Sequence, residues 1–239
     1  SVSRSNGGGN VNAEMNPTNG PSTYYRVNFN EAVVNVSADD FNLVDISGSI
    51  SGESITNVLN INNLHYLVTV STGSSGDGTI RLDVKSGTNI VDQAGNALAG
   101  GYSSGEVYTI DNTAPTSPSI SINSGAGYTT STGVTLSLSA SGASHMRFKN
   151  ETGGTWSVYE IYSTSKSWAL LNSQGTRTVY VQFKDLAGNE TDGSTTDEIL
   201  LDTIDPTDLS IEIDGGATYA TTTGVTLTVG ATLLIRTGL

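Results

Sequence analysis

The chain has 239 residues, a net charge of −13, 14% charged residues and no cysteine. The absence of cysteine excludes disulfides, thiolate metal sites and cysteine nucleophiles. The acidic balance, with no basic stripe, argues against nucleic acid and anionic membranes as partners. No apolar run approaches the ~20 residues that cross a bilayer, so we expect no direct membrane insertion. Abundant Gly, Ser, Thr and Asn favour an all-β protein with many turns.

Short alternating segments lie between turn-forming clusters in residues 1–113. The segments are 24–29, 66–70 and 79–84, and the last is the clearest. In it Ile80, Leu82 and Val84 should face inward, with Arg81 and Asp83 outward, as in a half-buried antiparallel strand. Glycine clusters such as Gly7–Gly9 and 73–78 indicate turns or flexible stretches.

The same style continues in residues 114–205. The predicted strands are 117–122, 134–139, 145–149, 156–160, 166–170, 176–184 and 197–201. So many short strands in a segment of this length predict a β-sandwich. We expect Trp156 and Trp168 to pack in the core or at its rim.

The chain also repeats itself. Pro115 and Pro206 are 91 residues apart, the difference between their positions, and so are Tyr128 and Tyr219. This register predicts tandem units at 1–113 and 114–205, followed by 206–239 as the truncated start of a third repeat. Tandem units of this kind are typical of a spacer or display arm.

Particular residues also carry a family resemblance. The first unit resembles a bacterial immunoglobulin-like repeat in its segments 16–19, 27–33, 40–41, 92–96 and 111–115. The second is similar to another immunoglobulin-like type, through Tyr128, 133–136, 146–148, Trp156, Trp168, 179–183 and 185–189. The resemblance implies tandem immunoglobulin-like β-sandwiches in a long extracellular or cell-surface bacterial protein of the adhesin kind.

Two sets of acidic and amide residues suggest calcium. In an immunoglobulin-like sandwich the loop after strand 176–184 lies where the chain enters, near the linker from the first unit. That places Asp185 and Asn189 beside Asp111 and Asn112 as oxygen ligands of the kind that calcium takes. Weaker candidates follow by the same logic: Asp92 and Asn96, which would face a preceding domain, and Asp202 and Asp205, which would face a following one. The alternative is that Asp-x-Ala-Gly-Asn is only a turn, with Asp capping it and Gly adopting a positive φ.

No recognisable catalytic motif is present. His65 and His145 each begin a predicted strand, outside any triad or metal motif, and we expect no enzymatic activity and no cofactor besides calcium. The leading hypothesis is a structural spacer of an extracellular bacterial surface protein, whose partners are neighbouring repeats and a host or surface ligand, either protein or glycan. The alternative is a carbohydrate- or ligand-binding module of a secreted enzyme, based on the rings of Tyr128, Trp156, Tyr159, Tyr162 and Trp168.

Overall fold

A computed structural model describes residues 1–6 and 16–232. The Gly7–Gly9 cluster and the last part of the predicted third repeat lie outside these ranges. The chain divides by contacts into two compact units. The first comprises Ser1–Thr116, Gly142–Ser144 and Lys184–Thr191, and the second Ser117–Ser141, His145–Phe183 and Asp192–Leu239.

The first unit is built of strands and one turn of 3₁₀ helix. Its strands are β1 (Val2–Ser5), β2 (Ser22–Asn28), β3 (Val33–Val34), β4 (Phe41–Gly48), β5 (Ser51–Asn60), β6 (His65–Ser75), β7 (Gly78–Val84), β8 (Val91–Asp92) and β9 (Val107–Ile110). They form a four-stranded sheet in the order β1-β2-β6-β5, a three-stranded sheet β4-β7-β9 and the short pair β3-β8. The 3₁₀ turn, Ala38–Asp40, begins where the carboxylate of Asp40 accepts hydrogen bonds from the backbone N–H and the hydroxyl of Ser37.

Both sheets of the first unit contribute side chains to one core. In β7, Ile80, Leu82 and Val84 are buried, as predicted. On the other face Arg81 and Asp83 form an ion pair at 2.6 Å. The hydroxyl of Tyr25, from the four-stranded sheet, donates to the carbonyl of Ile80 at 2.9 Å, which fixes the two sheets together.

The second unit is likewise built of strands, some of them with clear alternation. Its strands are β10 (Thr116–Ile122), β11 (Tyr128–Thr129), β12 (Gly133–Ser141), β13 (His145–Asn150), β14 (Glu160–Ile161), β15 (Ser165–Ala169), β16 (Gly175–Lys184), β17 (Thr195–Leu201), β18 (Thr207–Ile213) and β19 (Leu227–Thr232). A three-stranded sheet has the order β10-β12-β15, and a five-stranded sheet has the order β11-β17-β16-β13-β14. Every second residue of β12 is buried, as the alternation predicts.

Two local predictions in the second unit need correction. The predicted strand 156–160 is reduced to the short strand Glu160–Ile161. The reason is that Ser157 bonds with Phe148 of β13 without starting a ladder: its N–H donates to the Phe148 carbonyl, and its hydroxyl accepts from the Phe148 N–H. The alternation of 176–184 predicts that Gln182 faces solvent, but Gln182 is only 9% exposed. Its side-chain oxygen accepts two hydrogen bonds from the guanidinium of Arg147, and the Arg147 side chain covers Gln182.

Strands β18 and β19 form a separate two-stranded sheet. Its apolar side chains are exposed, among them Leu209 at 78%, Ile211 at 68% and Val229 at 72%. A two-stranded sheet has one apolar face and needs a second layer to bury it.

The described residues contain no α-helix, and each unit pairs two main sheets. The predicted class, all-β with tandem immunoglobulin-like sandwiches, is confirmed.

Candidate functional site

The segment Asp185–Asn189 forms a closed turn directly after β16. The carboxylate Oδ1 of Asp185 accepts from the backbone N–H groups of Gly188 at 2.7 Å and Asn189 at 2.9 Å. Its Oδ2 accepts from Nδ2 of Asn189 at 2.8 Å. Gly188 has a φ of +101°, a backbone conformation that residues with a side chain rarely adopt, so glycine suits this position.

The turn is fastened to the rest of the first unit by the side chain of Asn189. Its Nδ2 donates to the backbone oxygen of Asp111 at 2.8 Å, and its Oδ1 accepts from Nδ2 of Asn19 at 3.0 Å. The amide therefore binds one carbonyl and one donor at the same time. The structure thus brings together three of the predicted residues, Asp111, Asp185 and Asn189. Asn19, which lies 170 positions from Asn189 in the sequence, was not among the predicted residues.

Asn112 takes another partner. Its Nδ2 donates to the carbonyl of Gly76 at 2.8 Å, and its backbone N–H donates to the carboxylate of Asp77 at 2.6 Å. The hydroxyl of Thr113 donates to the other oxygen of Asp77. Asp77 therefore holds the segment that follows β9, a role that sequence spacing did not indicate.

Asp111 lies in an unfavourable electrostatic environment. Burial raises the pKa of its carboxyl, and the nearby charges of Asp185 and Asp77 raise it further, while the N–H of Thr113 acts in the opposite direction. The Asp111 carboxylate is therefore repelled by both neighbours at neutral pH, and a cation or a proton would relieve that repulsion.

The oxygens that a cation would use already accept hydrogen bonds. Both oxygens of Asp185 and both of Asp77 do so, and Oδ1 of Asp111 accepts from the N–H of Thr113 at 3.1 Å. Within residues 1–6 and 16–232, no group of three or more Asp, Glu, His or Cys side chains has the arrangement of a metal site. The geometry accounts for the turn without an ion.

The weaker candidates occupy two further places. Asp92 and Asn96 form a turn of the same kind in the first unit, with Asn96 Nδ2 donating to Asp92 Oδ2 at 2.7 Å. That bond is the main cause of a lowered pKa of the Asp92 carboxyl. Asp202 follows β17, and its Oδ1 accepts from the N–H of Ile204 at 3.1 Å. Asp205 lines an open cavity of about 420 Å³ with Asp202 and Pro206.

A stack of alternating rings and cations covers the outer face of β13 and β16. Its order is Tyr159, Arg147, Trp156, Lys149, Tyr180. The cation-to-centroid distances along the stack are 4.5, 5.2, 5.0 and 4.7 Å. Each cation lies within the ~6 Å at which a ring face attracts it. Trp156, the central ring of the stack, therefore contacts two cations, which occupy ring surface that a sugar would use.

The other aromatic residues of the proposed glycan platform lie elsewhere. Trp168 packs on Phe148 and donates its indole N–H to Asn150 at 2.9 Å. Tyr162 packs edge-on against Phe183. Tyr128 is 72% exposed and lines the cavity beside Asp202. Of the five, Trp156 and Tyr159 share a contact partner, Arg147.

His65 and His145 begin β6 and β13, as predicted. In the described part of the chain, no helix is long and apolar enough to span a membrane.

No family model matches this sequence, and no curated protein matches it either. Solved structures that resemble the fold include the fibronectin(III)-like modules of Clostridium thermocellum CbhA, at 11% identity and a TM-score of 0.39, covering 84% of this chain and 94% of that one. The human OSCAR ligand-binding domain is similar at 12% identity and a TM-score of 0.33, covering 84% of this chain and 96% of that one. These values are too low to support any inference about function.

Proposed function

We propose that this chain is a non-catalytic structural segment of an extracellular bacterial surface or adhesin-like protein, in which repeated sandwiches act as a spacer. The supporting observation is that both sandwiches end in the same local structure. Asp111 and Asp202 each follow the last strand of a sandwich, and each accepts a hydrogen bond at 3.1 Å from the N–H two residues further on. A segment that is repeated in sequence and in conformation suits a module that is copied to add length.

Small-angle X-ray scattering of the whole chain tests the spacer role. A spacer should give a narrow distribution of overall dimensions, and a flexible Gly/Ser insert of about 10 residues after Thr113 should broaden it. Equally broad distributions for the natural chain and the insert variant would contradict the proposal, because freely tumbling modules cannot set a distance.

Calcium binding at Asp111, Asn112, Asp185 and Asn189 is a separate proposal. The pKa of Asp111, raised first by burial and then by the charges of Asp185 and Asp77, supports it, since a cation would stabilise the charged carboxylate. Thermal unfolding with excess chelator and then with millimolar calcium tests it. A rise in Tm with calcium that is lost in Asp185→Ala supports the site. A rise that persists in this variant, or no rise, would reduce these residues to a turn and a linker.

Glycan binding is the alternative function, and the observation that favours it is the group of rings Trp156, Tyr159 and Tyr180 on one face. A glycan array with the chain and with Trp156→Ala tests it. Binding that depends on Trp156 would favour the binding module over the spacer.

A further inference from the structure

The turn Asp92–Asn96 has the same conformation as the turn Asp185–Asn189, but its residues 93–96 are exposed. In both, the Asp backbone N–H donates to the carbonyl of the Asn, at 2.9 and 3.1 Å. In both, the Asn N–H donates to Oδ1 of the Asp, at 2.8 and 2.9 Å, and the Asn Nδ2 donates to Oδ2, at 2.7 and 2.8 Å. The glycines before the Asn have similar left-handed conformations, with φ of +92° at Gly95 and +101° at Gly188.

The surroundings of the two turns differ at each matching position. Ala187 is 2% exposed, whereas Ala94 is exposed. A Cβ at Gly188 would lie 3.4 Å from Oδ1 of Asn19, whereas a Cβ at Gly95 would meet nothing within 4 Å. The side-chain amide of Asn189 forms hydrogen bonds with Asp111 and Asn19 outside its own turn. The side-chain amide of Asn96 is exposed, and its described hydrogen bond is to Asp92 within the turn. Cavities of about 310 and 240 Å³ open beside Asp92 instead.

The surface that binds the Asp185–Asn189 turn is formed by Asp111 and Asn19, which a backbone bridge brings together. Asp111 follows β9, and its N–H donates to the carbonyl of Thr18 at 3.0 Å, in a parallel bridge between Thr18 and Ile110. This bridge places the carbonyl of Asp111 and the side chain of Asn19 side by side. The Asn189 amide bonds with both groups.

The same construction recurs after the last strand of the second sandwich, where Thr130 is exposed. Asp202 follows β17, and its N–H donates to the carbonyl of Thr129 at 3.0 Å, in the parallel pairing of β11 with β17. Thr130 stands where Asn19 stands, and its hydroxyl can donate as the Asn19 amide does. A cavity of about 420 Å³ lined by Thr130 and Asp202 opens at this end.

We propose that the Asp92–Asn96 turn of one molecule docks head to tail on the Asp202 end of a second copy of this chain. Nδ2 of Asn96 donates to the backbone oxygen of Asp202, and Oδ1 of Asn96 accepts from the hydroxyl of Thr130. Gly95 allows the close approach and Ala94 is buried. Because one patch meets a different patch, the contact is heterologous, and each molecule presents one patch of each kind. This assembly goes beyond the spacer role, and either can fail without the other.

Electrostatics set the expected strength. Both ends are acidic, with Asp92 on one and Asp202 and Asp205 on the other, so the docked state brings like charges together. Association should therefore be weak and should strengthen as salt screens the repulsion.

Nuclear magnetic resonance of the ¹⁵N-labelled whole chain, between about 0.02 and 1 mM protein, tests the docking. The expected result is a concentration-dependent shift of signals at both ends, 92–96 and 128–130. Thr130→Val should weaken association about threefold to tenfold, the effect of losing one hydrogen bond, and Asn96→Ala, which removes both bonds, should weaken it further. Asn42→Ala and Thr164→Val, at exposed positions outside both ends, should leave it unchanged.

Mixing the two end variants gives a decisive comparison. A Thr130→Val molecule keeps the natural Asp92–Asn96 turn, and an Asn96→Ala molecule keeps the natural Asp202 end. In a mixture these two natural surfaces can meet, so the mixture should associate more strongly than either variant alone. The proposal is overturned if no signals shift with concentration, if only one end shifts, or if mixing does not increase association. Because the two substitutions lie in different units, local unfolding of the turn in Asn96→Ala would leave the Thr130→Val result interpretable.

Discussion

The buried hydroxyl of Tyr108 satisfies backbone groups from two strands. It accepts from the N–H of Ser5 at 3.2 Å and lies within donating distance of the carbonyls of Ser5 and Tyr24, at 3.1 and 3.0 Å. Tyr108→Phe keeps the ring but leaves the Ser5 N–H buried without this acceptor. We expect a loss of about 1–3 kcal/mol in the free energy of unfolding, measured by urea denaturation. Tyr102→Phe, whose hydroxyl is near the surface, should change it by less than about 0.5 kcal/mol.

Asp111 gives a prediction with a definite sign. Its pKa is raised in the folded state, so its contribution to stability is present below the ordinary value of 3.8 and is lost as pH rises through the raised pKa. Asp111→Asn removes the charge and keeps an oxygen for the Thr113 N–H. With chelator present we expect a higher Tm at about pH 7 and no change at about pH 3, with a gain below about 1 kcal/mol because the group is partly solvated.

The exposed Asp39→Asn is the matched control for this substitution. A lower Tm for Asp111→Asn at neutral pH would show that the carboxylate stabilises the folded state, which is the opposite of the expected effect.

At the scale of the elements, a double-mutant cycle can measure the coupling free energy within the ring and cation stack on β13 and β16. Arg147 contacts the rings of Trp156 and Tyr159 and also covers Gln182. For Arg147→Met with Trp156→Leu we expect a coupling of about 0.5–2 kcal/mol by chemical denaturation. The pair Arg26→Met and Trp156→Leu, whose positions belong to different units, should be additive. Additivity of the first pair would mean that the stack contributes only through burial.

Strand positions were predictable where apolar residues alternate, as in β7, β12 and β16, because that period reports burial directly. Strand β5, Ser51–Asn60, was missed because its side chains are largely exposed and polar, so its place depends on pairing with β6. The two-residue strand β11 carries too short a pattern to detect. The meeting of Asp111 with Asn189 followed from topology, whereas the roles of Asn19 and Asp77 depend on turn contacts that spacing does not encode.

At the scale of the whole molecule, the β18–β19 sheet leaves apolar side chains exposed within the described residues. Residues 91 positions apart differ in exposure: Ile122 and Leu136 are 0% exposed, whereas Ile213 and Leu227 are 53% and 55% exposed. Replacing Ile211, Leu227 and Val229 by Ser should therefore lower the binding of an apolar dye without lowering the main Tm. Glu212→Ser with Thr228→Ser is the control on the other face of the same strands. Unchanged dye binding in the triple variant would place the apolar surface elsewhere.

The parallel pairing that closes each sandwich has a mechanical consequence. Thr18 pairs in parallel with Ile110, and β11 pairs in parallel with β17. When a chain is pulled from its two ends, an early strand and a late strand that run parallel are drawn in opposite directions along their length. The hydrogen bonds across them, two at each place and 3.0–3.2 Å long, then bear the load together in shear instead of opening one after another. Resistance of each sandwich to tension therefore comes from these few backbone bonds as well as from the core.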